Sequence, residues 1–400
     1  MNRNDFSMLK DNLIYFDNAA TTFKPKCVLD EISNYYSNIT ANSHRGDYSI
    51  SRKVDELFEG TRNKVKDFIN AKSTKEVIFT KGTTESINMV AFGYFKQVLK
   101  ENDEILITKT EHASNVLPWF ELEKTNKVKV KYIELDNYVL TIDNLKKAIN
   151  KNTKLVSIAW VTNTIGDTRN IKEIIKLCHE NNILVNIDGA QAVPHLKTDV
   201  QELDIDFLSF SAHKMMGPTG LGILYGKEEL LEKTNPLTYG GGMNRDFYSN
   251  NESELKDLPL RLEAGTQNIE AVLGFNKTID YINEIGINNI EKHLNELHDY
   301  CLNKLKDLDN IIIYNKDVNT NTILFNVKGV FSEDTSVYLS SNNICVRSGN
   351  HCAKLTKDLL NISNTCRISF YIYNTKSEID KLIEVLKDFN INKVILWIMN

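Results

Sequence analysis

A lysine, an aspartate, a histidine and a cysteine each stand just past a short apolar run. Lys214 closes "SFSAHK" and is the only Lys or Arg between Lys197 and Lys227. A lysine beside a core loses hydration, so it must find a partner, lower its pKa or be put to chemical use. A desolvated amine suits a Schiff base with an aldehyde cofactor; the bland alternative is a snorkelling side chain. Asp188, in "NIDGAQAV" with Gln191, could hold a protonated heteroaromatic nitrogen or simply cap a turn. "FTKGTTESIN" reads as strand, Gly-Thr-Thr, helix, which makes Thr83 and Thr84 candidates for a phosphate seat at a helix start. An ordinary capped turn has the same pattern. Ser211 and His213 sit beside Lys214, His112 follows "KTE", and Asn163 lies in "VTNTIGD". Cys352 falls in "CVRSGNHCAKL", where Arg347 and Lys354 would favour a thiolate. Arg367, in "CRISF", could clamp a carboxylate bidentately or sit in a surface ion pair.

These residues need a frame. Strand-like "EVIFT", "EILIT", "KVKVKYIEL", "KLVSIAWV", "ILVNID", "DFLSFS" and "GILYG" alternate with helix-like segments between residues 75 and 226. Near-continuous apolar strands in β-α-β order predict an α/β fold with a mainly parallel sheet covered by helices on both faces. In such sheets ligands sit at the carboxyl ends of strands, where each residue above falls. An amphipathic helix is expected over Val54 to Ile69, and the polar stretch 239–259 reads as a long surface excursion. "NTILFNV" and "CRISFYIY", with the helix-rich sequence before them, suggest a smaller α+β domain from about residue 268 to 400.

Bulk properties exclude several classes. Among 400 residues the net charge is −5, which gives no reason to expect nucleic-acid or membrane-surface binding. The N-terminus lacks an apolar signal core, and no run is long enough to span a bilayer. The closing "VILWIM" reads as a terminal strand or helix end. Six scattered cysteines form no CxxC pair and no metal-like spacing, so a reduced, cytoplasmic setting without a metal is expected. Cys178, in "IKEIIKLCHE", reads as a small buried hydrophobe.

Taken in order, "YFDNAATT", "NSHRGDYSIS", "GTTESIN", "EHASNVLPW", "DGAQAVPH", "SAHKMMGPTGLGILYG", "EAGTQN", "VRSGNHCA" and "CRISFYIYNT" resemble the class V aminotransferase superfamily of pyridoxal phosphate enzymes, fold type I. Within it they are similar to cysteine desulfurases of the second group (SufS/CsdB type). The resemblance implies a seven-stranded sheet in a large cofactor domain (21–267), a small C-terminal domain (268–400) carrying the cysteine loop, and an N-terminal segment (1–20) packed with the small domain.

It also implies roles. Lys214 would carry pyridoxal 5′-phosphate as an imine and move the α-proton. Asp188 would pair with the ring nitrogen, Gln191 with the ring hydroxyl, and His112 would stack on the ring. Thr83, Thr84, Ser211 and His213 would hold the phosphate, and Thr266 would reach the phosphate of a partner subunit in a homodimer. Asn163 and Arg367 would bind the substrate carboxylate, with Asn163 also beside the cofactor. Cys352 would take sulfur from L-cysteine as a persulfide, leaving L-alanine, and pass it to a SufE- or SufU-like acceptor for Fe–S cluster assembly. Met243, Asn350 and Gln267 depart from the usual pattern. Two other readings stay open: a selenocysteine lyase, and a non-catalytic sulfur carrier or scaffold.

Overall fold

The computed structural model describes residues 2–43, 46–318 and 322–393. His44 and Arg45 of "NSHRGDYSIS" and the closing "VILWIM" lie outside the described residues. The main sheet has seven strands: β1 (Val77–Thr80), β2 (Glu104–Ile107), β3 (Lys129–Tyr132), β4 (Thr153–Ala159), β5 (Leu184–Asp188), β6 (Phe207–Ser211) and β7 (Gly222–Gly226). Their order is β1-β7-β6-β5-β4-β2-β3. β7 runs antiparallel to both of its neighbours, and the other pairings are parallel. This is the mainly parallel sheet expected.

The alternation of strand side chains sorts the core into two layers. Ile78, Ile105, Leu155, Phe207 and Leu224 pack with Ile87, Trp119 and Leu122 from helices on one face. Phe79, Leu106, Val156, Ile187 and Ile223 pack with Val54, Phe58, Ile175 and Phe275 from helices on the other. Both faces of the inner strands are therefore dry, which explains why those strands read as near-continuous apolar runs.

The two sheet edges are handled differently. At β3, Lys129 and Lys131 are exposed, and charge on an edge resists pairing with another chain. At β1 the free edge is closed by a buried ion pair. Arg62, on the helix Ser49–Phe68, donates from Nη1 to the Val77 carbonyl at 2.8 Å and binds both Glu263 oxygens at 2.7 and 2.9 Å. Glu263 in turn accepts the Phe79 amide at 2.7 Å. Arg62→Met leaves Glu263 buried without its cation and is expected to destabilise the fold by about 3–5 kcal/mol, read as a lowered urea midpoint.

A second sheet holds β8 (Ile311–Ile313), β9 (Thr322–Val327), β10 (Arg347–Gly349) and β11 (Thr365–Ser369) in the antiparallel order β8-β9-β11-β10. The N-terminal segment joins this part of the molecule. Ile14 and Tyr15 pair with Ile344 and Cys345, Asp17 bridges to Ser369, and the Phe6 ring packs on Tyr281 and Tyr373. The helix Ile269–Ile285 packs on the helices Lys26–Asn38 and Ser49–Phe68, tying the chain just past residue 268 to early segments.

The 239–259 stretch is more ordered than its composition suggests. Asn244–Phe247 and Ser253–Leu255 form an antiparallel ribbon that leaves Phe247 73% exposed. Met243 at its base is buried and accepts the Lys256 amide through its carbonyl at 2.7 Å. Among the described residues no helix is long and apolar enough to cross a membrane.

Candidate active site

The carboxyl ends of β2, β4, β5 and β6 open into a cavity of about 790 Å³, bounded on another side by the second sheet and its loops. The β6 chain turns at once into a short 3₁₀ segment, Ala212–Lys214, which brings Lys214 to the cavity wall. Burial pushes the Lys214 amine down to about 8, against the opposing pull of the Asp188 carboxylate. Asp188 ends β5 and is buried; loss of water raises its carboxyl to about 6, with Lys214 acting in the other direction. Its Oδ1 accepts the Ala190 amide at 3.0 Å. Two groups of opposite charge thus share a wall of one cavity.

His112 caps the short turn Ala113–Asn115, its Nδ1 accepting the Ser114 amide at 3.1 Å. Burial and the nearby Lys214 hold the imidazole down to about 4, so at neutral pH it is uncharged with its proton on Nε2. Gln191 lines the same cavity and donates from Nε2 to the Ala19 carbonyl at 2.7 Å.

The β1 end and the helix start at Thr83 meet the β6 end. The Thr83 amide and hydroxyl lie 2.8 and 2.7 Å from Ser211 Oγ, and Thr84 Oγ1 is 2.7 Å from Ser114 Oγ. Gly82 has φ 155°, a conformation suited to glycine. A Cβ on Gly222 would come within 2.4 Å of Gly82 Cα, so the two backbones touch where side chains would hold them apart. His213 lines the cavity here, and burial lowers its imidazole to about 4.

The second sheet supplies cations. Arg347 on β10 stands directly opposite Arg367 on β11, and both line the cavity. Like charges across a strand pair repel, so an anion between the two would be favoured. Arg367 is fully buried, donating from Nη1 to the Asn163 carbonyl at 2.7 Å and from Nη2 to Asp17 Oδ1 at 3.0 Å, while its Nε has no partner. Cys352 is exposed in the loop after β10, with Arg347 Nη2 3.8 Å from its sulfur.

Of the residues singled out in the sequence, Thr83, Thr84, His112, Asn163, Asp188, Gln191, Ser211, His213, Lys214, Cys352 and Arg367 line this cavity. Thr266 does not. It faces a neighbouring cavity that shares Lys81, Glu85 and Gly220 with the first. The three departures have local partners: Asn350 Oδ1 accepts the Cys352 amide at 3.2 Å, Gln267 Nε2 donates to the Ala264 carbonyl, and Met243 is buried as described. Sequence reasoning missed Asp17, which sits inside the quoted "YFDNAATT"; its contact with Arg367 spans 350 residues of chain and carries no local signal.

Residues 14–382 match the family model described as aminotransferase class-V. A relative from Halalkalibacterium halodurans, described as a probable cysteine desulfurase, is 41% identical over 94% of this chain and 92% of its own length. The cysteine desulfurase CsdA of Escherichia coli superposes with a TM-score of 0.91 at 32% identity, covering 99% of this chain and 98% of that one. An apo cysteine desulfurase from Thermococcus onnurineus NA1 gives 0.92 at 36% identity, over 96% of each chain.

Proposed function

Because the chain belongs to the class-V aminotransferase family, as a cysteine desulfurase using pyridoxal 5′-phosphate, we propose that its chemistry runs through Lys214, Asp188, Cys352 and the paired guanidiniums of Arg347 and Arg367. The donor set fits the cofactor. Hydroxyls and amides at Thr83, Thr84 and Ser211 suit a phosphate monoester at a helix start. A buried carboxylate suits a ring nitrogen, and an amine held near pH 8 suits an aldehyde. When bound, the cofactor would supply an aldehyde for the substrate amine and an electron sink for the pair left at the α-carbon.

The chain's own groups do the rest. Arg367, with Asn163, seats the substrate carboxylate, and Arg347 adds charge from the facing strand. Lys214 carries the α-proton, since burial already leaves much of its amine unprotonated near pH 8. His112, neutral at its Nδ1, offers an uncharged ring face. The Cys352 thiolate attacks the substrate sulfur: an S–S bond forms as the Cβ–S bond breaks. The carbon skeleton keeps the electron pair, takes up a proton at Cβ, recovers the α-proton from Lys214 and leaves as L-alanine, while the sulfur stays on Cys352 as a persulfide. Further readings rest on the family likeness: a cytoplasmic homodimer with Thr266 serving the partner's site, and a SufE- or SufU-like acceptor feeding Fe–S assembly.

The observation that carries this reading is the meeting of Lys214, Asp188, Arg367 and Cys352 in one cavity. Borohydride reduction of the cofactor-loaded protein is expected to leave a pyridoxyl group on the Lys214 peptide. Incubation with L-cysteine is expected to give alanine and a persulfide mapped to Cys352 by mass spectrometry. An unlabelled Lys214 peptide sinks the assignment.

A further inference from the structure

We propose that Asn163, together with the backbone amide of Ala113, is the positioning element that registers the Cys352 thiol to the rest of the cavity. The inference rests on the reading of Cys352 as the sulfur-taking group. His351 and Cys352 are consecutive and both left-handed, at φ 53° and 57°. Side chains with a Cβ disfavour that region, so such a pair relaxes unless its surroundings hold it.

Two bonds from outside the loop hold the two carbonyls. Asn163 Nδ2 donates to the His351 carbonyl at 2.7 Å, and the Ala113 amide donates to the Cys352 carbonyl at 2.8 Å. Each tie has a second hand in the site. The carbonyl of Asn163 accepts Arg367 Nη1 at 2.7 Å, while Ala113 directly follows His112. One tie therefore sets the thiol against the carboxylate clamp, and the other sets it against the ring-side imidazole. Attack on the substrate sulfur needs near-contact and alignment, so a loop displaced by an ångström loses rate even with every reacting group present. A side-chain amide carries two N–H donors, so the tie to the His351 carbonyl leaves one on Asn163 for a substrate.

Two substitutions cut the ties separately. Asn163→Leu removes the donor while keeping the backbone carbonyl that serves Arg367. Ala113→Pro removes the other N–H at the first position of its short turn, where proline is tolerated. The preceding His112, at φ −66° and ψ 148°, already has a conformation compatible with a following proline.

The test is hydrogen–deuterium exchange on the cofactor-loaded protein without substrate. Peptides spanning residues 349–356 are expected to exchange about fivefold faster or more in each variant. Peptides from β5 and β6 stay at the wild-type rate, cofactor absorbance is retained, and in Ala113→Pro, which touches no substrate-seating side chain, kcat falls more than KM rises. Exchange in 349–356 within about twofold of wild type in Asn163→Leu overturns the proposal, whatever Ala113→Pro does, and so does an increase shared equally by β5 and β6. Failure of the borohydride label at Lys214 sinks the functional reading and leaves this exchange pattern standing, so the two can fail separately.

Discussion

Cys352→Ala is expected to lower alanine formation from L-cysteine by about 10⁴-fold or more, because among the described residues no other thiol lines the cavity. The cavity wall formed by Lys214, Asp188 and the Thr83 segment is untouched, so cofactor absorbance and the Lys214 label persist. The side chain is exposed, and its removal opens no core void, so the unfolding midpoint stays close to wild type. Activity toward L-selenocysteine separates two readings. A lyase that needs no thiol keeps most of that activity in the variant, whereas a desulfurase that relays sulfur through Cys352 loses cysteine turnover outright. Measuring alanine release from both substrates decides it.

Under the proposed assignment, Lys214→Ala removes the amine that holds the cofactor and the group that moves the α-proton, and is expected to cost about 10⁴-fold. Small primary amines supplied in the buffer should restore part of the rate. The pH dependence of the wild-type group follows from its burial. The free amine is the reactive form, and with the pKa lowered to about 8 its population rises as pH increases through that value. Cofactor uptake by the cofactor-free protein is therefore expected to quicken between about pH 7 and pH 9 and then level off. A lysine at its ordinary value would still be accelerating there. Uptake that is flat across this interval in wild type counts against Lys214 as the acceptor.

What the sequence disclosed follows from which forces are local. The strands of the main sheet other than β3 were legible because both of their faces are buried, so runs such as residues 77–79 and 105–107 carry no polar interruption. The ends of those strands carried Asp188, Lys214 and His112 for the same reason: a reactive polar group directly after an apolar run stands out. Relations set by register were hidden. Nothing in the order of residues says that Arg347 lies opposite Arg367, since that depends on how β10 pairs with β11. The contact of Gly82 with Gly222, and of Asp17 with Arg367, joins segments far apart in the chain. The 239–259 stretch reads only as a surface excursion because the exposed residues of its ribbon lack the one-sided apolar pattern that marks a packed strand.

The facing guanidiniums have a consequence for selectivity. Every free α-amino acid presents the same carboxylate and amine at its head, so under the proposed carboxylate seat this end of the cavity offers alanine, serine or glutamate the same contacts as cysteine. Discrimination must then arise at the far end, from whether a side chain offers an atom that the loop sulfur can take. Abundant bystander amino acids would occupy the chamber fruitlessly, and throughput would follow the share of cysteine in the surrounding pool rather than its concentration alone.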